Sequence, residues 1–149
     1  MKNISRSFLI ILSILLITSC EENDFIQQNQ LIDEQGITIR LEWELINATV
    51  DPTEVDLDLL VTANGSLVEQ STSSFLFEKV SLSSSLPNQI YDVTVRYVDG
   101  DFDVRYFITV EGQSSFEQVS INDELASSFQ GNSITPIKIF KNGSTFELN

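Results

Sequence analysis

The chain has 149 residues, with 22 Asp and Glu against eight Lys and Arg, a net charge of −14, one cysteine and no histidine. Without histidine, neither Ser-His-Asp nor Cys-His nucleophilic systems nor the usual zinc sites can be built, and the negative charge repels phosphate backbones, which excludes nucleic acid as a partner. The sequence contains no G-x-G-x-x-G or G-x-x-x-x-G-K-[ST] phosphate cradle, so carboxylate chemistry, a serine-lysine arrangement or no catalysis at all remain.

At the N-terminus, Lys2 and Arg6 precede an apolar run from Phe8 to Ile17, which ends in Ile17-Thr18-Ser19-Cys20. A basic head, a short hydrophobic segment and small residues at a cleavage point predict a secretory signal over residues 1–19, too short to span a membrane comfortably. Ile17-Thr18-Ser19-Cys20 resembles the lipobox of bacterial lipoproteins. The resemblance implies that Cys20 is acylated, becomes the first mature residue and anchors the protein to the outer membrane of a Gram-negative envelope. It also gives the chain's lone thiol a role, which a single cysteine in a secreted protein otherwise lacks. Each buried methylene contributes roughly 0.8 kcal/mol, so the two or three acyl chains of such a lipoprotein suffice for anchoring. Cleavage would remove Lys2 and Arg6 and no acid, leaving acyl chains rather than a basic patch to hold the membrane.

Residues 20–35 are polar and acidic, which predicts a tether between the lipid and a folded domain at 36–149. Glu21, Glu22 and Asp24 resemble the acidic export signals of surface-displayed lipoproteins. Display at the surface and retention on the periplasmic side both stay open.

From Gly36 the pattern has period two. Ile37, Ile39, Leu41, Trp43 and Leu45 alternate with Thr38, Arg40, Glu42 and Glu44, which predicts a strand with one buried and one wet face. Similar signals recur at Val55–Val61, Phe75–Leu82, Tyr91–Tyr97, Phe102–Val110 and Ile134–Phe140. Only Ile121–Phe129 suggests a short helical turn, with Asn122 as its cap.

Asn64-Gly65, Asp99-Gly100 and Asn142-Gly143 suit type I′ hairpins. A two-residue turn at Asp99-Gly100 would pair Tyr97 with Phe102, Val95 with Val104, Val93 with Tyr106 and Tyr91 with Ile108. On its other face Arg96 would oppose Asp103, with Arg105 diagonal to Asp92. Asn142-Gly143 would pair Ile139 with Phe146, Ile137 with Leu148 and Lys138 with Glu147. About eight such strands predict an all-β fold, a single antiparallel β-sandwich of jelly-roll-like kind. Trp43, among aliphatic neighbours, is expected in its core. Phe107 falls on the polar face, where it either touches another strand or marks a contact surface.

Leu41-Glu42-Trp43, then Val55-Asp56-Leu57-Asp58-Leu59-Leu60-Val61, then Tyr91-Asp92-Val93-Thr94-Val95 resemble pre-peptidase C-terminal-type domains and related extracellular jelly rolls. That resemblance, over about half the chain, implies a non-catalytic appendage.

Two acidic groups are candidate sites. Asp51, Glu54, Asp56 and Asp58 crowd one strand end, where mutual repulsion calls for solvation or a cation such as calcium. Asp99, Asp101 and Asp103 superficially match the first positions of a calcium loop. Val104 and Val110, however, replace its required glycine and glutamate. The residues together predict a lipid-anchored, non-enzymatic envelope protein, an interaction or carbohydrate-contact module whose partner is a glycan or an envelope protein. A small carboxylate-dependent hydrolase and a purely structural envelope protein are the alternatives.

Overall fold

A computed structural model describes residues 29–47 and 52–149. The described residues form ten strands: β1 (Gln30–Ile32), β2 (Gly36–Leu45), β3 (Asp56–Ala63), β4 (Ser66–Ser71), β5 (Phe77–Ser83), β6 (Ile90–Asp99), β7 (Val104–Gly112), β8 (Gln118–Leu125), β9 (Ser133–Asn142) and β10 (Thr145–Leu148). They form two antiparallel sheets, β1-β10-β9-β6-β3-β4 and β5-β2-β7-β8, stacked as the expected β-sandwich. The alternating residues Ile37, Ile39, Leu41 and Trp43 from one sheet meet Leu57, Leu59, Val61, Tyr91, Val93 and Val95 from the other in a single core. Trp43 is buried there, as its neighbours predict.

Several pairings differ from those the turn dipeptides suggest. β6 and β7 belong to different sheets: β6 pairs with β3 and β9, and β7 with β2 and β8. Val95 and Val104, Val93 and Tyr106, and Tyr91 and Ile108 are therefore not cross-strand partners. Both strands bury the alternate residues expected of them, because alternation specifies a strand's inward face and leaves its neighbour unspecified. The chain between them arches across the core. Gly100, at φ +129°, packs so closely that a Cβ would lie 2.7 Å from Val55 Cγ2, and the Tyr97 hydroxyl donates to Phe102 O at 2.7 Å.

The β9–β10 hairpin forms, with its register displaced by two residues. Ile139 faces Leu148 and Phe146 faces Lys141, instead of Ile139 facing Phe146. The two turn residues are Gly143 and Ser144, and only Gly143 has positive φ, at +60°. That is the pattern of a type II′ turn, with glycine in its first central position, whereas a type I′ turn would put Asn142 and Gly143 at the centre. At Asn64-Gly65 both φ values are positive, 50° and 76°, and the expected type I′ turn joins β3 to β4.

Two further segments depart from expectation. Residues 121–125 continue β8, and only Ser127–Phe129 form a 3-10 turn, so Asn122 caps no helix. The sheet also begins within the predicted tether: Gln30–Ile32 pair with β10, and Leu31 enters the core. Asp33, 2% exposed, accepts hydrogen bonds from the backbone nitrogens of Gln35 (2.8 Å), Gly36 (3.0 Å), Ser114 (2.6 Å) and Ser115 (2.8 Å). Burial alone would raise its carboxyl pKa, but these amides outweigh burial and hold it far below the ordinary carboxylate range. The tie fastens β1 to the β7–β8 loop.

Candidate functional site

Cys20 and Asp51 lie outside the described residues. Of the remaining candidate calcium ligands, Glu54 is exposed at the end of a 3-10 turn at Pro52–Glu54 and Asp56 opens β3. Asp58, expected on a solvated face, is 3% exposed; Arg96 on β6 binds its Oδ2 through Nε at 2.9 Å and through a terminal guanidinium nitrogen. Arg96 thus neutralises Asp58 and not Asp103. Asp56 keeps one buried oxygen, Oδ1, without a hydrogen-bond partner. Burial pushes its carboxyl up, and the charges of Asp58, Glu78 and Asp99 add to the shift against an opposing Arg96. Among the described residues, no group of three or more potential ligands is placed to hold a metal ion. The second acidic run disperses into the arch, where Asp99 accepts from Gln130 Nε2 at 2.6 Å and Asp103 accepts from Ser127 N at 2.7 Å.

The outer face of the four-stranded sheet holds a different arrangement. Phe107 points outward from β7, opposite Glu42 on one side and Asn122 on the other. Phe77, 43% exposed, stands opposite Glu42 on β5, so a row Phe77–Glu42–Phe107–Asn122 crosses all four strands. Adjacent strands lie about 4.8 Å apart, which separates the two aromatic positions by about 10 Å. In sequence, Phe75, Phe77, Val80 and Leu82 form one apolar run without revealing its parity. The structure turns Val80 and Leu82 inward and Phe77 outward, with Glu78 taking a buried position.

The neighbouring row is Lys79–Arg40–Thr109–Ser120. The Arg40 guanidinium lies 5.0 Å from the centre of the Phe77 ring, and its Nε is 3.8 Å from Glu42 Oε1. Lys79 is exposed directly opposite Arg40, with no carboxylate within ion-pairing distance among the described residues. On the far side of the aromatic row, Arg105 bridges Glu124 (2.8 Å) and Glu44 (3.1 Å), not Asp92. The hydrogen bond and charge of Glu124, joined by Glu44, push its pKa up.

The outer face of the six-stranded sheet carries a shallow depression of about 250 Å³ lined by Ile90, Lys138, Phe140, Glu147 and Asn149. Its cation is committed: Lys138 Nζ lies 2.6 Å from Asp92 Oδ1 on β6, not paired with Glu147.

The fold and this face define an antiparallel β-sandwich with an outward aromatic row on its smaller sheet. The chain matches no protein-family profile, no curated protein and no solved structure.

Proposed function

We propose that the chain is a lipid-anchored, non-catalytic protein of the outer membrane whose β-sandwich contacts glycans through the outer face of its four-stranded sheet. The observation that carries this reading is the placement of Phe77 and Phe107 at outward positions two strands apart, flanking Glu42 and followed by Asn122. Aromatic rings on a sheet face offer apolar surface to the C–H faces of sugars, while adjacent carboxylate and amide groups accept and donate hydrogen bonds to hydroxyls. The pre-peptidase C-terminal likeness belongs to the same reading, as does the anchor at Cys20.

Affinity electrophoresis of the purified chain, through gels carrying soluble neutral or acidic polysaccharides, tests the contact. Retardation by at least one polysaccharide, lost in Phe107→Ala, is expected; no retardation in any gel contradicts the glycan reading. Membrane fractionation tests the anchor separately. Cys20→Ser should release the protein or leave it unprocessed, and unchanged mature mass with full membrane retention would contradict lipidation.

A further inference from the structure

We infer that Arg40 and Lys79 form a subsite for the carboxylate of an acidic, uronate-containing polysaccharide lying on the same sheet face; the inference rests on the glycan reading above. Like charges placed directly opposite on neighbouring strands destabilise a sheet, yet Arg40 and Lys79 occupy such a pair. Within its own row the pair is flanked by the hydroxyls of Thr109 and Ser120, while the rows on either side each carry one carboxylate, Glu42 beside Phe77 and Glu111 beyond Ser81 and Thr38. Arg40 is ion-paired with Glu42 at 3.8 Å, too far for a hydrogen bond, so its guanidinium donors stay open, and Lys79 has no acidic partner among the described residues. An incoming anion would relieve this repulsion.

The geometry is also organised in advance. Contact with the Phe77 ring holds the Arg40 guanidinium over the sheet face, reducing the freedom lost when its fork of donors meets a planar carboxylate. The chain's net charge of −14 opposes a polyanion at long range, but at physiological ionic strength charges beyond about 8 Å are largely screened, so contact is governed by Arg40, Lys79 and their near neighbour Glu42. A sugar acid fits better than an acidic peptide, because the same face supplies two aromatic positions about 10 Å apart for ring faces and hydroxyl and amide groups for ring hydroxyls.

Affinity electrophoresis of the purified chain should compare polygalacturonate, its methyl-esterified form, dextran sulfate and polyglutamate. Polygalacturonate should bind most tightly, by roughly tenfold over the ester, the scale of one charge-assisted contact. Arg40→Gln with Lys79→Gln should abolish that preference while leaving weak binding to both forms, and its thermal melt should lie at or slightly above that of the parent. Phe107→Ala should lose binding of both forms together. Equal binding of acid and ester by the parent, or an unchanged preference in the double variant, overturns the subsite but leaves the glycan reading standing. Absence of binding to either galacturonan, where a neutral polysaccharide still binds, likewise overturns the subsite alone, and absence with every polysaccharide overturns both. Dextran sulfate binding as tightly as polygalacturonate overturns the carboxylate assignment. Polyglutamate binding as tightly assigns the face to an acidic protein.

Discussion

The two outward faces of the sandwich treat their positive charges differently. On the six-stranded sheet, Arg96 is bound to Asp58 and Lys138 to Asp92, each across neighbouring strands. On the four-stranded sheet, Arg105 is similarly satisfied, but Arg40 and Lys79 face each other beside an exposed phenylalanine, Arg40 with only a 3.8 Å contact to Glu42 and Lys79 with no acidic partner among the described residues. The first arrangement is complete within the fold, and its charges act on stability. The second is incomplete, so its charges are available to something outside the chain.

The largest expected effect breaks the completed side. Arg96→Ala leaves Asp58 buried and unpaired next to Asp56, which should cost about 2 kcal/mol, below the range for fully enclosed pairs because the guanidinium is partly open to water. Denaturant unfolding of the variant checks this, and Arg40→Ala should by contrast stay within about 0.5 kcal/mol of the parent.

A pH series sharpens the comparison, because Asp56 is the acid on the completed side that stays uncompensated. Its carboxyl pKa is raised by folding, so it imposes no penalty below the ordinary carboxylate pKa. The penalty grows as pH rises through the window up to the raised value and is fully present above it. Asp56→Asn should therefore raise the melting temperature at pH 7 and lose that advantage towards pH 3. Asp33 has the opposite sign: its stabilisation is complete above the ordinary carboxylate pKa and fades as pH falls from there through its depressed value.

A smaller effect is expected on the incomplete side. Lys79→Glu replaces a like-charge pair with an opposite-charge one and should stabilise the protein by a few tenths of a kcal/mol while weakening binding of acidic glycan. Phe107→Ala should change stability least, since the ring is only half-buried on an outer face, and should still lose glycan retardation. A large stability loss in Phe107→Ala would assign the ring a packing role.

The inward face of most strands was legible in the sequence, because a strand with one buried side must alternate. Alternation could not say that β6 and β7 lie in opposite sheets, since Val95 and Val104 point into the core under either arrangement. Turn chemistry located the β9–β10 hairpin but left its register open, because Asn142-Gly143-Ser144 can centre either a type I′ or a type II′ turn. Leu31 and Asp33 were hidden inside a polar stretch. A three-residue strand shows no periodicity, and although Asp33 takes two amides from its own turn, the two it takes from the distant Ser114 and Ser115 leave no local signal. At the candidate site, the polar-face position of Phe107 was legible, with packing against another strand and a contact surface as the two alternatives for its role. Its partners were not, because the Phe77 row depends on which strands flank β2.

The central claim, that the outer face of the four-stranded sheet is the contact surface, is tested most directly by two-dimensional NMR of the isotope-labelled chain titrated with galacturonate oligomers. The account predicts progressive, saturable shifts at Arg40, Glu42, Phe77, Lys79, Phe107 and Asn122, with Ile90, Phe140 and Glu147 unmoved. Shifts confined to the Ile90–Phe140 depression, or no saturable shift anywhere with galacturonate or with neutral oligosaccharides, would contradict it.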